Sequence, residues 1–368
     1  MKHWVNLPTG KQVRKNSQNG LFLLKWGYMT HKLISFVLAE SSKLKKGELV
    51  MTLPPQSAPH YFATTIPPQH TIGQKKKNIN GQDINFLIKS YHPDILVVEA
   101  TTEIDDAFSI DTFELRKKLI DACQQISKEH GGSFEMSEEY SVAVVSGYQG
   151  DPEQFFNQSP AIVRFLKSER IALDEYEIKH AVQNQIKYAQ NDLSIIGWDG
   201  AFVFEPGEEY QSDIELFQIA TLQLLRYRIL EQDLSERLTK ASKLISKSSR
   251  TELVVWSTKE VEKAFKEVIA LRGQSISQFD VIEREIKLIG DWYSAKLYEM
   301  LAKMFQFNEW RTIIKDKLES IEDVYNIVSE NFSITRYHAL EMIQLVLFFV
   351  LQLGWFILIA LELKGLLK

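Results

Sequence analysis

The sequence predicts an α+β protein, in which an N-terminal mixed α/β domain is followed by a long-helix stalk or hairpin and one C-terminal transmembrane helix. Three observations predict this. Between residues 30 and 207, runs of β-type residues alternate with two helical patterns. After Pro206 the pattern becomes almost purely helical. Residues 342–361, MIQLVLFFVLQLGWFILIAL, contain no charge.

Residues 1–29 carry Lys2, Lys11, Arg14, Lys15 and Lys25 and no acid. Gly10, Asn16, Gln18, Asn19 and Gly20 interrupt any amphipathic helix, and LFLLKWGYM is too short for a secretory core, so this segment reads as a basic, loosely ordered lead, or as sequence upstream of a start at Met29. The domain assigned to residues 30–207 opens with the strand patterns LISFVLAE, ELVMTL and HYFATTI. Residues 54–83 are rich in Pro, Gln, Gly and Asn, and their Lys75, Lys76 and Lys77 read as a solvated loop. INFLIKSY and DILVVEAT resume the strand pattern, the second as a nearly continuous apolar run suited to a central strand. FSIDTFELRKKLIDACQQISKEHGG follows as a helix, with Asp111 and Glu114 placed as a capping box and Gly131 and Gly132 past its end. EYSVAVVSGY reads as a strand, DPEQFF to FLKSE as a second helix, and EYEIKHAV, QIKYAQNDLSIIGW and GAFVFEP as three further strands joined by polar turns.

Residues 211–332 form the expected helical stalk or coiled-coil hairpin. IELFQIATLQLLRYRILEQDLSERLTKASKLI is one long amphipathic stretch. In a second, Phe279, Ile282, Ile286, Ile289, Tyr293, Leu297, Met300 and Met304 recur every three or four residues. A third starts after Asn308, a cap candidate, and spaces Ile314, Leu318, Ile321, Tyr325 and Val328 as a heptad seam. The short connection between the last two helices predicts an antiparallel hairpin, and the two-heptad seam suits an internal bundle or a dimer alike, with a homo-oligomer as the expectation.

Twenty residues at ~1.5 Å each span ~30 Å, the hydrocarbon thickness of a bilayer. Fourteen of them are Leu, Ile, Val or Phe, which together favour insertion by about 4 to 8 kcal/mol. Met342, Leu347, Phe348, Leu351, Trp355 and Leu361 mark the expected anchor, and residues 362–368 a short tail. The alternative is a core helix of a soluble bundle, but such a helix normally keeps a polar face. Lys364 and Lys368 after the span, against Arg336 before it, favour a cytoplasmic tail by the positive-inside tendency. Against this, about 340 residues without an export signal would have to cross, and the expectation is a single-pass protein with its large N-terminal part on the cytoplasmic side.

Composition narrows the chemistry. A formal net charge of −5 over 368 residues argues against a general nucleic-acid binder. The single cysteine, Cys123, rules out an intramolecular disulfide framework and sits in a helical pattern as a buried small residue. The eight histidines include no pair at helical ligand spacing, and His180 reads as a strand residue. Glu99, Glu103, Asp105 and Asp106 cluster at the end of a strand pattern, where oxygen ligands for a divalent cation would gather; an acidic turn leading into a helix is the competing use. Arg226 and Arg228 read as salt-bridge partners. No glycine-rich phosphate fingerprint, nucleophile elbow or kinase motif occurs, and no cofactor is expected.

Gly290, Asp291 and Tyr293, then Trp310, Lys317, Leu318 and Tyr325, then Leu340 and Glu341, fall in the order seen in a known family. This C-terminal fifth of the chain resembles the YagE-like family, whose mitochondrial relatives are called required for meiotic nuclear division. EEYSVAVVSGY is similar to that family's central strand, with Ser141 where the family has glycine. The resemblance implies a non-enzymatic, membrane-attached protein, and mitochondrial members associate with the inner membrane and support organellar translation. The resulting expectation is a membrane-tethered scaffold that contacts lipid, copies of itself and a protein partner. The alternatives are a metal-dependent enzyme using residues Glu99 to Asp106, or an oligomeric channel around Gln344 and Gln352.

Overall fold

The computed structural model describes residues 29–41, 69–249 and 292–366, the backbone of short strands at 4–6, 12–14 and 48–50, and single helical residues between 266 and 279. HYFATTI and the seam positions Ile282, Ile286 and Ile289 lie outside the described residues. Within the basic lead, β1 (Trp4–Asn6) pairs antiparallel with β2 (Gln12–Arg14).

The expected mixed domain is a nine-stranded sheet among the described residues. Its strands are β3 (Thr30–Glu40), β4 (Glu48–Val50), β5 (Gln69–Ile79), β6 (Gln82–Tyr91), β7 (Ile95–Ile104), β8 (Ser137–Ser146), β9 (Gln185–Ile186), β10 (Leu193–Ile196) and β11 (Gly200–Phe204), in the spatial order β4-β5-β6-β7-β3-β8-β11-β10-β9. Among the described strands only β8 and β11 pair in parallel. Central β3 and β8 are buried on both faces, which is why their sequences are nearly continuous apolar runs. On β8, Tyr140, Val142 and Val144 point to one core while Ala143 and Val145 point to the other. Ser35 and Ser141, paired across β3 and β8, satisfy each other in this interior through a 2.9 Å hydrogen bond.

Helices cover both faces. On one lie α1 (Ile110–Glu129), a 3-10 turn (Pro152–Gln158) and α2 (Ser159–Lys167). Leu115, Leu119, Cys123 and Ile126 of α1 and Ile162, Phe165 and Leu166 of α2 fill that core. Arg116, itself buried, donates to the carbonyls of Phe165 and Asp199 and stacks on the Phe165 ring at 4.8 Å, clipping α2 and the β10–β11 turn to α1. On the other face lie α4 (Gln211–Ser249), α5 (Trp292–Met304) and α6 (Phe307–Leu366). Their apolar stripes share one core with the sheet, through Phe217, Leu225 and Leu234 of α4, Leu297 and Leu301 of α5, and Ile314 and Ile321 of α6. Each such side chain contributes about 1.5–3 kcal/mol of burial. The domain-proximal stalk helices are thus one layer of the α/β domain.

Several local expectations are corrected. The run Lys75–Lys77 lies in β5, paired with β6, and not in a loop: Lys75 and Lys77 turn towards α1, where they bond to Glu129 and Gln125, while Lys76 faces solvent. EYEIKHAV forms a helix, α3 (Glu175–Val182), not a strand; the Asp174 carboxylate caps it by accepting from the Tyr176 N–H at 2.8 Å, with Glu175 and Glu177 in its first turn, and His180 therefore sits on a helix. In α1 the cap is Ser109, whose hydroxyl accepts from the Thr112 N–H, two residues ahead of Asp111. Nor do α5 and α6 fold back on each other. Tyr293 at the start of α5 meets Asp213 at the start of α4, Arg311 of α6 meets Tyr227, and Lys317 meets Glu231 and Ser235, so both helices advance along α4 in its own direction. Phe305 and Gln306, the latter with φ 55°, restart the helix without reversing it.

Candidate functional site

The four acidic metal candidates are not brought together. Glu99 points under α4, where its Oε2 accepts from Lys89 Nζ at 3.1 Å and from Gln218 Nε2 at 2.6 Å; all three side chains are buried. Glu103, Asp105 and Asp106 are exposed at the end of β7 and in the turn after it. Asp106 Oδ1 accepts from the Phe108 N–H at 3.0 Å, so this carboxylate helps to shape the turn into α1. Among the described residues no group of three or more His, Cys, Asp or Glu side chains could hold a metal ion. Beside Asp106, the buried His31 accepts from the Ala107 N–H at Nδ1, and burial holds its pKa down against the opposing pull of Asp106. Cys123 is buried, and burial pushes its thiol pKa upward.

Tertiary structure assembles a different polar site. A cleft of about 560 Å³ opens between the C-terminal end of β3, the β6–β7 turn and the middle of α4. Glu40, Asp94, Asp233 and Glu236 bring four carboxylates to it, Arg226 and Arg237 two guanidiniums, and Ile95, Met136, Ile229 and Leu230 an apolar lining. Burial raises the pKa of Glu40, and the neighbouring charges of Asp94 and Asp233 raise it further. Arg237 pairs with Asp233 one turn away at 2.6 Å and donates to Ser275 Oγ at 3.3 Å, while Arg226 donates to the carbonyl of His92 at 3.2 Å. Arg228 bonds to Glu138 and the Ser137 carbonyl, the ion-pair role expected of it. The Asp233–Arg237 pair is legible as an i,i+4 spacing; the approach of Glu40 and Asp94 to it depends on strand order.

Four of the described seam positions pack inside the chain. Leu297, Ile314 and Ile321 are fully buried and Leu318 packs against the same core, so these positions close the domain and leave no surface there for self-association. Tyr325 is half-buried.

Past this docked segment α6 continues as a single helix. Val324 is its last buried apolar residue among the described residues, and from there the helix rises about 24 Å to Leu340. Leu340–Ala360 is long and apolar enough to cross a membrane, and none of its most apolar window is buried. Met342, Leu347, Phe348, Leu351 and Trp355 are all exposed; Leu361 continues the helix. Within this chain the segment is therefore not covered as a core helix would be.

Residues 33–211 match the family described as Uncharacterized protein MJ0711, N-terminal domain. The chain is also similar to Uncharacterized protein MJ0711 of Methanocaldococcus jannaschii, at 28% identity over 272 residues, which is 74% of this chain and 79% of that protein. No solved structure matches. The family match runs from β3 to the start of α4 and so covers the main sheet and the helices α1, α2 and α3.

Proposed function

We propose that the protein is a single-pass, membrane-tethered interaction module whose α/β domain stands on the cytoplasmic side and acts by recognition, without catalysis of its own. The observation that carries this reading is the helix Leu340–Ala360, with no part of its most apolar window buried, growing out of a helix whose first turns are locked into the domain core. Water would reject so large an apolar surface, and a bilayer accepts it. The helical segment between Val324 and Leu340 then holds the domain about 24 Å from the bilayer. The cleft between β3 and α4, with carboxylates and guanidiniums over an apolar lining, supplies groups for ion pairing with a polar partner.

Membranes from cells expressing the full chain, and a version ending after Tyr337, are washed with carbonate at high pH. The full chain is expected to stay in the membrane and the shortened one to be soluble; release of the full chain would overturn the anchor. Protease added to right-side-out vesicles should leave the large domain intact, and its digestion would reverse the assigned orientation.

A further inference from the structure

The membrane-spanning segment is not uniform around its circumference. At about 100° per residue, Glu341, Gln344, Phe348, Gln352 and Trp355 fall within an arc of about 80°. Gln344 and Gln352 carry the two carboxamides between residues 342 and 361, and both are exposed. Every side chain on the remaining arc of that stretch is apolar, and Gly354 lies about 120° from the centre of the stripe, so a glycine contact does not explain its position.

A carboxamide facing hydrocarbon leaves two donors and two acceptor sites without partners, an unfavourable arrangement on an otherwise lipid-compatible helix. Resting on the membrane span proposed above, we infer that a second copy of the same helix, running parallel, covers this stripe. A carboxamide is self-complementary, because each donates as well as accepts. All copies enter the membrane with one orientation, so a twofold contact places Gln344 opposite Gln344 and Gln352 opposite Gln352 without further adjustment. Phe348 and Trp355 fill the space between and beyond the two polar contacts, and the apolar arc is left to lipid. Glu341 shares the azimuth but lies at the water end of the span, where solvent and salt screen the like charges. Since the seam positions Leu297, Ile314 and Ile321 are consumed within the chain, the stripe offers a route to self-association that does not compete with the domain core.

The test is disulfide trapping of the full-length protein in native membranes. Phe348→Cys lies on the stripe and Val350→Cys faces away; the unmodified chain is the control, because Cys123 is buried in the domain core. Mild oxidation is expected to trap a dimer with Phe348→Cys and not with Val350→Cys. Adding Gln344→Leu and Gln352→Leu to the Phe348→Cys chain is expected to lower the dimer-to-monomer ratio about tenfold. Equal trapping at both positions, no trapping at either, or a product with the mass of another protein would overturn the inference while the chain remains resistant to carbonate. A chain released by carbonate would instead defeat the span reading itself, and this inference with it.

Discussion

The Tyr293 hydroxyl donates a hydrogen bond to Asp213 Oδ2 at 3.0 Å, joining the first turn of α5 to the first turn of α4. Ser194 of β10 completes the cluster, its hydroxyl lying 3.3 Å from both oxygens. Burial is the dominant influence on the Asp213 carboxyl, opposed by hydrogen bonds from Tyr293 and Ser194 and reinforced by the charges of Glu205 and Asp192, and it pushes the pKa up to about 7. The folded protein therefore keeps a proton there that the unfolded chain releases near pH 4. Stability contributed by the protonated group falls as pH rises from about 4 to about 7 and then levels off. In Asp213→Asn this slope disappears, so the variant gains on the parent by on the order of a few kcal/mol between pH 5 and pH 8. Melting of both proteins in detergent across that range checks this; identical pH slopes would exclude Asp213 as the cause.

The buried Arg116 is held by two carbonyls and one ring. Arg116→Met leaves the Phe165 and Asp199 carbonyls without their donors and should lower stability by about 2–4 kcal/mol. Arg116→Lys rescues little, because one ammonium cannot reproduce the planar fork. Denaturant titration of the three proteins measures the difference.

Lys89 and Glu99 form a buried pair rather than half of a metal site. Removing either charge alone should cost about 3–5 kcal/mol, whereas Lys89→Met with Glu99→Leu should recover most of the loss. Magnesium, manganese or calcium should leave the melting temperature of the parent protein unchanged, and a stabilising shift that vanishes in Glu99→Gln would contradict the structural role.

At Gly200, where β11 begins, an added Cβ would lie 2.6 Å from the Ser141 carbonyl oxygen and 3.1 Å from a Phe165 ring carbon. Gly200→Ala should therefore destabilise by about 1–3 kcal/mol. Gly73 on β5 has nothing within 4 Å of the same position, so Gly73→Ala should be nearly neutral. Thermal melts of the two variants distinguish a local packing conflict from a general intolerance of alanine.

The elements with long, unambiguous patterns were legible in the sequence. β3, β7 and β8 announce themselves as apolar runs, and α1 and α4 as amphipathic stretches. The apolar C-terminal helix is legible for a related reason, since twenty uncharged residues need no tertiary partner to define them. Shorter segments were decided by neighbours. The alternation in EYEIKHAV suits a strand or an exposed helix, and the Asp174 cap settles it as α3. The lysines of β5 resemble a solvated loop until β6 supplies the backbone partners and α1 supplies Glu129 and Gln125.

By itself the sequence determined that the chain has an α/β part, a helical part and an apolar terminal helix, because hydrophobic periodicity and length are local properties. Tertiary structure alone decided what those parts face. It turned the seam residues Leu297, Ile314 and Ile321 inward, sent Glu99 under α4 away from Asp105 and Asp106, and brought Glu40 and Asp94 to Asp233 across more than a hundred positions of sequence. A periodic stripe specifies that a helix must bury one face; which surface buries it depends on strand order and helix direction, and these emerge only when the whole sheet closes its two cores.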